Sequence, residues 1–238
     1  MDPRKSKFLG RQLLRSGRLF RHIFLPANDP YLSGLIKSKK LLLFAAHYIA
    51  EIPILFFDII GLPELFAFLQ ALTKKNARPL NAHELNLAKS IFNKAISFAK
   101  VRIDEQSRVG THRGKYAFVS YYYINSLGVL SLPILMHELV HVLQFEQSGS
   151  PYALRNMVAH IFPKTYDYGG LEKIQSINND PSEVHSLNYE QRADIFSDYC
   201  LLLMGYKPEW GHADASHIDM YYSVVQLLLA DKRPDPSA

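Results

Sequence analysis

Apolar residues recur at helical spacing along most of this chain and give way only briefly to strand-like runs. Between Phe8 and Phe24, Leu9, Leu13, Phe20 and Phe24 interleave with Arg11, Arg15 and Arg18, predicting a basic amphipathic helix weakened by Gly10 and Gly17. From Leu41 to Leu72 the chain turns strongly apolar, interrupted by Glu51, Pro53 and Asp58. His47, Glu51 and Asp58 fall on one helical stripe, so a helix with a single polar edge is expected there. Each acid costs roughly 2.5–3.5 kcal/mol at a bilayer centre, which brings membrane insertion near balance; a buried or membrane-surface helix is expected ahead of a span.

Lys74 to Pro79 reads as a polar linker. Beyond it, Asn81 followed by Glu84 predicts a capped helix through NAHELNLAKSIFNKAISFA. Lys100–Ile103 and the aromatic run Tyr116–Ile124 predict strands. Further helices are expected over Pro133–Gln147, about Tyr189–Leu203 and Ile218–Ala230, and no internal repeat is visible. The expected class is α+β, a small sheet packed on one central helix with mostly helical surroundings. Three segments follow: a basic tail (1–40), an apolar helical segment (41–75) and a main domain (76–238).

Charge and cysteine usage sharpen this division. Residues 1–40 hold ten Lys/Arg against two Asp, a net of +8, which leaves −3 for the remaining 198 residues of a +5 chain. The basic pI belongs to the tail, and with no nucleic-acid reading motif in the body no nucleic-acid partner is expected. Residues 1–72 are instead a candidate membrane-contacting surface, with a solvated arm or a targeting segment as alternatives for the tail. No cleavable signal is expected, because no short apolar region with a small-residue site follows the charged start. A single cysteine, Cys200, excludes an internal disulfide framework.

The chemistry concentrates in LSLPILMHELVHVLQFE, where His137-Glu138-Leu139-Val140-His141 lies inside an apolar helical run. Residues four apart on a helix stand about 6 Å apart on one face, so both imidazoles can reach one metal ion. Zn2+ favours such nitrogen ligands and, in catalytic sites, takes a third protein ligand. Glu190 is the best third ligand, with Asp194 one turn further as the partner of a ligand histidine's free N–H. His160 and His185 are substitutes for the third position, while Glu146 faces elsewhere. Glu138 is placed to act as general base on a metal-activated water.

At these residues the chain resembles the glutamate-type zincins, whose His-Glu-x-x-His helix is followed by a helix bearing Glu-x-x-x-Asp, here Glu190-Gln-Arg-Ala-Asp194. The resemblance implies a zincin-like fold with His137, His141 and Glu190 as zinc ligands, Glu138 as general base and Asp194 orienting His137. A closer resemblance, over roughly residues 79–205, is to bacterial metallopeptidases of the Vgr-related and contractile-injection-system core type. It rests on the HELVHVLQ helix, the Tyr166-Asp-Tyr168 segment and the Asn-x-Glu-Gln-x-Ala helix. It implies a bacterial, secretion-system-associated protein, cytoplasmic or membrane-associated or delivered by such a system.

The expected reaction is hydrolysis of an amide bond in a peptide or protein substrate. Tyr168 is the candidate catalytic donor to the oxyanion, with Tyr166 and His185 as alternatives, and the Tyr116–Ile124 strand is a candidate edge for pairing an extended peptide. Two other readings compete: a catalytically silent zinc-binding module, and a membrane-surface protein led by residues 1–72.

Overall fold

The computed structural model describes residues 3–37, 39–108, 117–160 and 165–230. Its elements are mainly helical: α1 (Pro3–Phe24), α2 (Pro30–Lys37), α3 (Leu41–Ile59), α4 (Leu62–Thr73), α5 (Ala82–Phe92), α6 (Leu132–Ser148), α7 (Pro151–Ala159), α8 (Gly170–Asn179), α9 (Tyr189–Leu203) and α10 (Ile218–Ala230). A small sheet comprises β1 (Arg102–Asp104), β2 (Phe118–Ser120) and β3 (Tyr123–Asn125) in the order β1-β3-β2. This composition agrees with the α+β expectation.

The helices that carry the motifs form where the sequence places them. Pro133 sits in the first turn of α6, where its missing N–H costs nothing, and Gly149 ends the helix at φ 74°. Asn188 and Gln191 close a reciprocal capping box at the start of α9, as Asn81 and Glu84 do for α5. α6 and α9 pack together at the centre of the molecule. Leu135, Leu139, Val142, Ala193, Phe196 and Cys200 are fully or almost fully buried in the shared core, and Phe92 of α5 stacks on Phe196 with ring centroids 5.0 Å apart.

Two expectations require correction. The single strand over Tyr116–Ile124 is a hairpin: Tyr121 adopts φ 59°, reversing the chain so that Ser120 pairs Tyr123 and Phe118 pairs Asn125. A tyrosine in the left-handed region is unfavourable alone, but its ring packs against Phe145 and Phe66 and its N–H donates to the Tyr152 hydroxyl. Tyr116 lies outside the described residues. The helix after Asn81 ends at Phe92 rather than near Ala99, because Asn93 turns to φ 53°.

The N-terminal helices pack on the body. The apolar segment is two helices joined at Gly61 (φ 87°), and α3 is the helix, among the described residues, long and apolar enough by length and composition to cross a membrane. Its polar edge faces inward: Glu51 accepts from Arg155 of α7 at 2.6 and 2.7 Å, and Asp58 accepts from the Ser150 N–H at 2.9 Å. Lys74 to Pro79 is likewise tied down. The Lys74 ammonium bonds Asp104 at 2.8 Å, and Arg78 bridges Glu84 and Glu105.

Candidate metal centre

One turn of α6 presents His137 and His141 toward the first turn of α9, which presents Glu190. The His137 and His141 Nε2 atoms are 3.2 Å apart, and Glu190 Oε2 lies 3.1 Å from the first and 3.5 Å from the second. The three form a group able to hold a metal ion. The distances can be tested against a specific ion. Zinc bonds of about 2.0–2.2 Å in tetrahedral directions keep ligand atoms roughly 3.3–3.6 Å apart. The observed triangle has nearly that size.

Each imidazole is held by its other nitrogen. His137 Nδ1 donates to Asp194 Oδ1 at 2.6 Å, and His141 Nδ1 donates to the Gln144 amide oxygen at 2.9 Å. Both bonds leave Nε2 as the atom turned to the cluster, the tautomer a metal ligand needs. The supports are themselves supported. The Trp210 indole N–H donates to Asp194 Oδ2 at 2.7 Å, and Gln144 Nε2 donates to the Tyr189 carbonyl at 3.0 Å. Trp210 arrives there because Gly170 and Gly211 let two backbones touch; a Cβ on Gly170 would come within 2.7 Å of the Gly211 Cα.

The electrostatics are those of a tight ion cluster. Burial pulls the His137 pKa down, but bonds to Asp194 and Glu190 outweigh it and lift it to about 10. His141 is shifted upward too: burial opposes the shift and Glu190 drives it. Glu190 resists burial and is held far below the usual carboxylate range by His141, His137 and His160. Glu138 is buried and moves the other way: desolvation raises its pKa against the pull of both histidines. Its Oε2 is buried with no protein hydrogen-bond partner. An acceptor left in that condition costs roughly 1–3 kcal/mol.

The remaining candidates divide clearly. His160 reaches the cluster through Glu190 Oε1, at 3.1 Å, and its side chain is half exposed. Tyr166 stands near both histidines, with ring centroids 6.1 Å from His137 and 5.7 Å from His160. Tyr168 does not join them, which corrects its candidacy as the catalytic donor. Its hydroxyl donates to Asp198 at 2.5 Å and meets the Tyr221 hydroxyl at 2.9 Å, two turns along α9 from Glu190. Burial and Asp198 together push this phenol far above its ordinary pKa, fixing it as a structural donor. His185 lies in the turn Pro181–Ser186, where its carbonyl is close to Gly34 of α2. Glu146 faces away and accepts from the Ser97 N–H. Gln144 and Trp210 escaped the sequence reading. Gln144 sits one turn past His141 on the same face and was legible there, whereas nothing local marks Trp210.

Compared with protein-family models, curated proteins and solved structures, the chain matches none.

Proposed function

We propose that this protein is a zinc-dependent hydrolase of peptide bonds with a zincin-like active site, in which His137, His141 and Glu190 hold the metal and Glu138 is the general base. What carries the reading is one juxtaposition: a 3.1–3.5 Å triangle of ligand atoms beside a buried carboxylate oxygen that has no partner. A zinc ion held there would supply an electrophile for a carbonyl oxygen and would lower the pKa of water.

The chain's own residues do the rest. Asp194 and Gln144 keep the two imidazoles aimed and raise their basicity. Glu138, disfavoured as an anion by burial, takes a proton from the attacking water and delivers it to the leaving amine. Half-exposed His160, with Tyr166 beside it, is the candidate for contacts to a substrate carbonyl. Glu138→Gln tests this directly. It should bind metal as the parent does and lose at least about 100-fold in hydrolysis of an unstructured protein substrate; an unchanged rate removes Glu138 from the mechanism.

A further inference from the structure

Helix α3 is amphipathic in the reverse of the usual sense. Its buried residues are His47, Glu51, Leu55 and Asp58, whereas every exposed position from Leu41 to Phe57 is apolar. The outer stripe Leu42, Ala46, Ile49, Pro53, Phe56 and, just beyond the helix, Ile60 runs at steps of three and four, so it is one continuous face. Leu42 is 86% exposed and Ile49 67%. α4 continues the pattern, burying Gln70 while Leu65, Phe68 and Leu72 are each more than half exposed. A water-facing surface built this way needs a cover.

We propose that the α3–α4 hairpin lies in one leaflet of an anionic membrane and seats the protein on it. Cations stand at the two chain ends of the apolar segment: Lys37, Lys39 and Lys40 are exposed at the α2–α3 corner, and Lys75 is exposed just after α4. That arrangement complements acidic lipid headgroups around a buried acyl contact. A second copy on the same face would instead bring like-charged rims together.

The hairpin does not span. α3 is about 28 Å long at 1.5 Å per residue, but Glu51 near its middle is paired with Arg155, and Asp58 is bonded to Ser150. Crossing the bilayer would carry α7 and a buried ion cluster into hydrocarbon. α4, with 12 residues, is too short to return across. The inference stands apart from the metal reading, and failure of either leaves the other intact.

Flotation of the full chain with vesicles tests it. The protein should float with phosphatidylcholine–phosphatidylglycerol vesicles, less with phosphatidylcholine alone, and less again in high salt. Ile49→Glu with Phe56→Glu alters only exposed positions; it should abolish flotation while the thermal melting curve keeps its cooperativity. Lys39→Glu with Lys40→Glu should remove the preference for acidic lipid and leave the residual binding. Absence of flotation from both vesicle types, or flotation indifferent to the Ile49/Phe56 pair, overturns the proposal. Self-association abolished by that pair, without flotation, would assign the face to a second copy and equally overturn it.

Discussion

The His137 Nδ1 atom lies 2.6 Å from the Asp194 carboxylate, a bond between helices that joins positions 57 apart in sequence. It fixes which nitrogen of His137 is offered to the cluster, and the Trp210 indole fixes the carboxylate in turn. Removing a carboxylate that orients a ligand histidine typically costs 10–100-fold in metal affinity. Asp194→Ala should therefore weaken zinc binding by about that factor in a chelator competition, with the fold retained. An affinity unchanged within about twofold would show that the bond does not orient the ligand.

Proton linkage gives the second expectation. With its pKa raised from 6.5 to about 10, His137 carries a proton at neutral pH that a bound metal must displace. Apparent zinc affinity should rise about tenfold per pH unit between roughly pH 7 and 9 from this group alone, and more steeply where His141 also gives up a proton. The sign reverses for folding of chelator-stripped protein. There the His137 contribution to stability is complete below about 6.5 and is lost as pH rises through about 10. Isothermal titration in buffers of different ionisation enthalpy reads the released protons; no release would contradict the assignment.

Arg155 holds α3 to the body. It is 2% exposed, bonds Glu51 and Asp29 through both ends of its guanidinium, and stands over the Tyr31 ring at 4.7 Å. Breaking a buried pair on one side leaves uncompensated charge and typically costs 3–5 kcal/mol. Arg155→Met should lower unfolding stability in urea by about that amount, since it takes the buried cation away from Glu51 and Asp29. A loss under about 1 kcal/mol would mean that the cluster contributes little to holding the helix.

Much of the centre was legible because helices carry their facing directions in their spacing. His137 and His141, four apart, and Glu190 and Asp194, four apart, declare two faces, and the structure brings those faces together. The irregular segment around Tyr166 and Tyr168 has no period, so which ring would reach the histidines could not be read; the structure turns Tyr166 to them and commits Tyr168 to Asp198. Trp210 escaped for a related reason, since its approach depends on the contact between Gly170 and Gly211, 41 positions apart. The polar edge of α3 was visible in sequence but not its direction. Its partners include Arg155 and Ser150, about a hundred residues away, and these long-range bonds help hold the charged side inward. The turn at Tyr121 lacked the Gly or Asn that marks a left-handed residue, and packing against Phe145 supplies what local preference does not.

Elemental analysis of the purified protein beside its Glu190→Ala variant decides whether His137, His141 and Glu190 together hold a metal ion. Truncating Glu190 removes the only carboxylate of the ligand group. About one zinc per wild-type chain and a clear loss in the variant is the predicted result. A wild-type chain that retains no zinc after reconstitution would rule out zinc at these three residues.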